Sequence, residues 1–166
     1  MSYGQQHVTA QPAPTGGMDP RNTNNLPYDD KGTRDWSHPF FGCLEDPVTF
    51  VVSWFLPCVT YGKNKSRREA LESTGRPHAD GGELVGGDTI TYAALQCCGC
   101  GWVVGMSNRA ATRARYRIAG DGGSDCFSSC CCAPCALTQE SRELELEEQA
   151  LGHAGGGFAT MVGPKK

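Results

Sequence analysis

Between Cys126 and Glu143 the chain reads Cys-Phe-Ser-Ser-Cys-Cys-Cys-Ala-Pro-Cys-Ala-Leu-Thr-Gln-Glu-Ser-Arg-Glu, and no other stretch limits the fold as much. Five of the ten cysteines fall in its first ten residues, a proline interrupts them, and a charged, helix-forming segment follows. Cys97, Cys98 and Cys100 make a second cluster, and Cys58, like Cys135, directly follows a proline. Concentrated sulfur has three uses: metal ligation, redox chemistry and disulfide cross-linking.

A length of 166 residues suits one domain. Residues 1–34 are rich in Gln, Pro, Gly, Asn and Thr and carry too few large apolar groups to offset their ordering entropy. They are expected to stay disordered, as is the Gly-rich segment 152–166. The folded unit is expected at 35–151, small enough that a metal or cross-link would add needed stability. The net charge of −3 gives nucleic acid no support. Lys63, Lys65, Arg67 and Arg68 form one basic run, and Arg109, Arg113, Arg115 and Arg117 another. Glu140, Glu143, Glu145, Glu147 and Glu148 form an acidic one. The simplest reading is three solvated helix faces. A sharper one sets a basic helix beside the acidic helix, where exposed pairs contribute little.

The first thirty residues hold no hydrophobic run, so no secretory signal is expected. Cysteines outside the secretory route read first as metal-binding or catalytic thiols. Ser2 stands where myristoylation requires glycine, and the last four residues are not a prenylation box.

The local signals predict a mainly α fold: a small Cys-rich helical domain with Pro-interrupted helices and disordered tails. Asp35 to Cys43 reads as an irregular aromatic segment packing its rings on the core. Asp46-Pro47 is a strong helix start, since Asp caps and Pro fits the first turn. The helix through Val48–Leu56 should break at Pro57, before the basic run that ends near Glu72. After a loop over Gly75–Gly87, Asp88 or Thr89 is the expected cap of the next helix. Gly99, Gly101 and Gly105 weaken it by up to ~1 kcal/mol each. Asn108–Ile118 resumes as a basic helix. Past the Gly120–Gly123 loop, Ser124 or Asp125 is expected to cap a helix that meets Pro134 and continues to Leu151. Leu56-Pro57-Cys58-Val59 and Ala133-Pro134-Cys135-Ala136 form a weak internal repeat. Each Cys would lie near a helix N-terminus, where the macrodipole favours thiolate.

Val48–Tyr61 is apolar but spans only fourteen residues and contains Pro57, whereas a spanning helix needs roughly 20. Thr89–Met106 is long enough only if its cysteines and glycines count as apolar. Basic residues flank both stretches, which leaves no topology to assign. A buried core or an interfacial association is expected, and Cys43 or a clustered Cys is a candidate for palmitoylation.

On a regular helix Cys131 and Cys135 share a face, as do Cys126 and Cys130, and Cys97 can meet Cys100. Structural zinc commonly takes two close ligand pairs from separate elements. One pair from Cys97, Cys98 and Cys100, with one from Cys130, Cys131, Cys132 and Cys135, would meet that need. Cys58 could replace any one of them. The spacing matches no standard zinc finger, and thiolates would equally take cadmium or cuprous copper. Cys132-Ala133-Pro134-Cys135 also has the form of a thioredoxin-like redox motif, without the alternating strand–helix context. His7, His38, His78 and His153 read as solvated or locally packed residues.

The core resembles the placenta-specific-eight family. The pieces that carry the resemblance begin with Trp36, Gly42-Cys43 and Asp46, then Pro57-Cys58-Val59-Thr60-Tyr61-Gly62-Lys63-Asn64. They continue with Arg113-Ala114-Arg115-Tyr116-Arg117-Ile118 and Asp125-Cys126. The most diagnostic piece is Cys130-Cys131-Cys132-Ala133-Pro134-Cys135-Ala136-Leu137, with Gln139-Glu140 and Arg142-Glu143-Leu144 after it. The resemblance implies a Cys-rich, often membrane-associated protein whose plant relatives limit cadmium or zinc accumulation or restrain cell number. It implies no established catalytic activity. The family's first motif commonly holds Cys-Pro-Cys with further cysteines before it. Here Leu56-Pro57-Cys58 follows Val51, Val52 and Phe55, so the later clusters become the expected metal site.

The expected function is therefore binding of a soft divalent metal, zinc or cadmium, through clustered thiolates in metal resistance or homeostasis. The candidate ligands are Cys58, Cys97, Cys98, Cys100, Cys130, Cys131, Cys132 and Cys135, with zinc as the resident ion and no enzyme activity. Alternatives are a structural zinc module regulating cell number through protein contacts, and a thiol–disulfide oxidoreductase using Cys132 and Cys135. The expected partners are a membrane (peripheral or embedded), other proteins and further copies of the chain, but not nucleic acid. The expected location is the plasma membrane or its cytoplasmic face, with the cytoplasm as the alternative.

Overall fold

A computed structural model describes residues 19–152. The outer parts of both tails, with His7 and His153, lie outside the described residues. Six helices account for most of the described chain: α1 (Pro47–Phe55), α2 (Pro57–Thr74), α3 (Gly87–Cys97), α4 (Gly101–Tyr116), α5 (Gly122–Cys131) and α6 (Ala133–Ala150). Short 3-10 turns lie at Pro20–Asn22 and Phe40–Glu45. Among the described residues the extended pairing is a single bridge between Arg34 and Ile118. The mainly α expectation therefore stands.

Proline sets three of the helix starts. Pro47, Pro57 and Pro134 each sit in the first turn of a helix, where a missing N–H costs nothing. Asp46 caps α1 as expected, accepting from the Thr49 amide. Two other caps differ from expectation. Gly86 precedes α3, while the Thr89 hydroxyl donates to the Leu84 carbonyl and Asp88 accepts from Lys65. Asp121, not Ser124 or Asp125, caps α5, and Ser124 completes a reciprocal capping box with it. Gly75 ends α2 at φ 65°, a left-handed conformation that glycine adopts without steric cost.

Helix α6 runs through the middle of the molecule, packed against α1, α2, α4, α5 and both 3-10 turns. Its charged residues are not a solvated face. Glu140, Glu143, Glu147 and Glu148 are all buried, and so are Arg34, Arg67, Arg68 and Arg109. The expectation of three exposed charged faces is thus corrected. Arg34 Nη2 donates to Glu143 Oε1 at 2.6 Å, and Ser37 donates to the same carboxylate through its amide and hydroxyl. Arg67 reaches Glu148 with Nε at 2.9 Å and Ser141 with Nη1 at 3.0 Å. Glu147 accepts from Arg115 and from the Tyr116 hydroxyl, each at 2.6 Å. Glu140 accepts from Asn108 at 2.8 Å with Arg109 3.8 Å away. A second centre joins Asp125 to Arg113 and Arg109. The charges are buried because counter-ions and hydrogen bonds meet most of them inside, although Arg34 Nε, Arg68 Nε and Arg109 Nη1 have no hydrogen-bond partner.

Apolar packing is divided around this polar layer. Leu71, Tyr116, Ile118 and Leu144 form one cluster, with Trp36 and Leu151 against it. Tyr61, Tyr92 and Leu137 form the other, with Cys58 and Val104 alongside. In the aromatic segment, Trp36 lies under the Arg109 guanidinium at 4.2 Å and Phe40 at 5.9 Å. Phe41 instead projects outward, 79% exposed. The boundary expected at residue 35 falls inside the packed region. Asn22 and Arg34 are buried, and Thr23 donates to the Leu146 carbonyl. Their tie to α6 is polar, which an apolar-content argument does not register.

Removing one partner of a buried pair strands the other. Glu148→Ala should lower unfolding stability by about 3–5 kcal/mol, read from urea midpoints. Glu69→Ala, at an exposed pair with Lys65, should stay within about 0.5 kcal/mol. Burial raises the Glu140 carboxyl from 4.5 to about 7, against the opposing pull of Arg109 and Asn108. The native chain then keeps a proton that the unfolded chain has released, so this carboxyl's contribution to stability falls as pH rises from 4.5 towards 7. Glu140→Gln should flatten that segment of the stability–pH curve.

Candidate functional site

The polar contacts also set the direction of every helix. Asn64 donates to the Leu137 carbonyl and Arg67 to Ser141, so α2 runs parallel to α6. Asn108 pairs with Glu140 and Arg115 with Glu147, so α4 does too. Tyr61 stacks on Tyr92 at 4.6 Å while Lys65 holds Asp88, which makes α3 antiparallel to α2. Gly105 faces Ser129 and Arg113 holds Asp125, so α5 is antiparallel to α4. Ser53 donates to the Thr60 hydroxyl across the Pro57 bend, folding α1 back on α2. The starts of α2, α4 and α6 and the ends of α1, α3 and α5 therefore meet at one pole of the bundle.

Among the described residues this pole holds no Asp, Glu, Lys or Arg. Residues 47–62, 89–108 and 126–139 contain none of the four, and each stretch crosses a helix junction at the pole. Asp46, Lys63, Asp88, Arg109, Asp125 and Glu140 bound the three stretches. At 1.5 Å per helical residue the uncharged cap is about 10–12 Å deep. It is apolar on its outside: Trp54 is 61% exposed, Phe55 75%, Leu56 54% and Phe127 66%.

All eight candidate ligands lie on this pole or just beneath it. Cys97, Cys98, Cys100, Cys130 and Cys131 are exposed free thiols at the α3–α4 junction and the end of α5. Cys58 is half-buried against Tyr61, Tyr92 and Leu137. Cys132 and Cys135 are joined by a disulfide across the first turn of α6. The two sequence clusters thus share one end of the molecule. Among the described residues, however, no three or more His, Cys, Asp or Glu side chains are gathered for an ion.

One further sulfur belongs here. Cys43, buried in the turn before α1, places its Sγ 3.3 Å from Cys135 Sγ. The Arg142 guanidinium fixes that turn by donating to the Gly42 carbonyl and to Glu45. Gln139 steadies the chain before it, donating to the His38 carbonyl and accepting from Arg109. Cys43 stands alone in the sequence, ninety-two residues from Cys135. The sequence marked it through the Gly42-Cys43 step of the family resemblance, and the glycine is needed there because a Cβ would stand 3.1 Å from the Pro39 ring. No described helix is long and apolar enough to cross a membrane.

The PLAC8 family model matches residues 36–143, which takes in the aromatic segment, all of α1–α5 and the first half of α6. The chain is 32% identical to Protein PLANT CADMIUM RESISTANCE 2 of Arabidopsis thaliana, over 73% of this chain and 75% of that protein. It is 34% identical to PLANT CADMIUM RESISTANCE 9 of the same plant, over 66% of this chain and 68% of the relative. Cell number regulator 7 of Zea mays is 27% identical over 87% and 80% of the two chains. These are not enzyme names. No solved structure matches the chain.

The arrangement predicts three classes of thiol. In the native chain, maleimide should label Cys97, Cys98, Cys100, Cys130 and Cys131 first. Cys43 should react only on unfolding, and Cys132 and Cys135 only after reduction. Peptide mass spectrometry of timed samples reads all three.

Proposed function

The chain belongs to the PLAC8 family, and from that premise we propose that it handles soft divalent metal ions, cadmium or zinc, through thiolates while seated on a membrane by its uncharged pole. The observation that carries this reading is the meeting of Cys43, Cys132 and Cys135 at the start of α6. Two electrons and two protons from a cellular dithiol would open the Cys132–Cys135 bond and leave three neighbouring thiols. Thiolates select soft ions over magnesium or calcium, and three of them leave a coordination position open for exchange. The donor set therefore fits such an ion as cargo. The cap supports the membrane seat. Its depth of about 10–12 Å compares with the 5–10 Å to which interfacial helices sink, and falls far short of a hydrocarbon core about 30 Å thick. The names of the Arabidopsis relatives, which speak of cadmium resistance, agree with this reading.

The same disulfide favours a second reading, a thiol–disulfide couple with no metal cargo. Cadmium titration of the reduced full chain, followed by thiolate-to-metal charge-transfer absorption, separates the two. The proposal expects stoichiometric uptake that is lost in Cys43→Ser and Cys135→Ser and kept when Cys97, Cys98, Cys100, Cys130 and Cys131 are all changed to Ser. The reverse pattern assigns the ion to the exposed thiols. No uptake, with a Cys132–Cys135 bond that re-forms under mild oxidation, sinks the metal reading and leaves the redox one.

A further inference from the structure

We infer that the exposed thiols Cys97, Cys98, Cys100, Cys130 and Cys131 are sites of reversible S-acylation by long-chain fatty acids, an inference that rests on the membrane-seated reading of the pole. Cysteine is among the residue types most often buried, yet these five stand in solvent as free thiols. They come from two separated stretches of chain, and helix direction alone brings both to the same pole.

Their surroundings are those of a thiol at a membrane surface. The stretches that carry them, 89–108 and 126–139, lack every charged side chain. Val103 and Phe127 are exposed beside them on the same helix ends. An uncharged apolar cap of this kind is the mark of a surface that is covered in use. None of the five is tied up in a disulfide. Cysteines next to a membrane-embedded face are the group that acyl transfer modifies.

The step balances without an oxidant. A cysteine thiolate attacks the thioester carbonyl of a long-chain acyl-coenzyme A, and a new carbon–sulfur bond forms. The bond to coenzyme A breaks, and that thiolate leaves and takes up the proton the cysteine released. One membrane-binding signal gives marginal, reversible attachment, and stable anchoring takes two. The cap with Trp54 and Phe55 supplies the first signal and the acyl chains the second. Cys43, sealed under the turn before α1, and the bonded pair Cys132 and Cys135 stay outside this chemistry.

The test uses the full chain recovered from membranes of a eukaryotic host. Hydroxylamine-dependent exchange of acyl groups for a mass tag should mark one or more of the five cysteines. Changing all five to Ser should abolish the tag and cut the carbonate-resistant membrane fraction several-fold, with the thermal unfolding midpoint unchanged. No hydroxylamine-sensitive group on the wild-type chain, or an equal signal in the five-Ser variant, overturns the inference. Flotation of the unacylated bacterial product with phosphatidylcholine–phosphatidylserine vesicles keeps the underlying reading separate. If the unacylated chain floats and Trp54→Ser/Phe55→Ser does not, the membrane seat stands whether or not acyl groups are found. If neither floats and no acyl group is found, both readings fall.

Discussion

The structure depends on the carboxylates of α6 being met, inside the bundle, by guanidinium groups from elsewhere in the chain. Arg34 comes from the segment before α1, Arg67 from α2, and Arg109 and Arg115 from α4. Each pair fixes both the position and the direction of a neighbouring element against α6. An arginine is suited to this because its planar fork is always charged and satisfies two carboxylate oxygens at once. The cost is strong dependence on completeness. A buried pair adds little over a well-packed apolar pair, yet losing one member leaves an uncompensated charge.

Placing the charge inside has a consequence for the outside. The truly buried apolar side chains are few and divide into two small clusters. Large apolar groups that another protein would bury, Phe41, Trp54, Phe55 and Phe127 among them, are left on the surface. The ion-pair level marks where charge ends along the bundle, and beyond it every helix junction is uncharged. Thiols that were scattered in sequence become one surface at that end. The sulfur-bearing turn at Cys43 lies against the same end of α6, held there by Arg142, so the metal-binding and membrane-facing proposals draw on one architectural fact.

The helices were legible in the sequence where a local rule operated. Pro47 and Pro57 restrict their own backbone and one neighbour, and the helix start and break they predict are found, while at Pro134, where one helix was expected to continue, α5 ends and α6 begins. The caps of α3 and α5 were misplaced because several polar residues near each start could serve. Tertiary contacts chose among them: Asp88 was drawn to Lys65, and Asp125 to Arg113 and Arg109. The acidic and basic runs were visible, but the usual rule that charge faces solvent pointed the wrong way. That rule assumes no partner is available within the fold.

The sequence by itself determined the helical class, the proline breaks, the sulfur clusters and the three uncharged stretches, since all follow from residue identity and from restrictions acting over a few positions. Only the tertiary structure decided that Arg67 meets Glu148 eighty-one residues away, that the thiols gather at one pole, and that Cys43 lies against Cys135. Those outcomes depend on the direction in which six helices pack. Direction is set by long-range ion pairs, and no local pattern encodes which arginine will find which carboxylate.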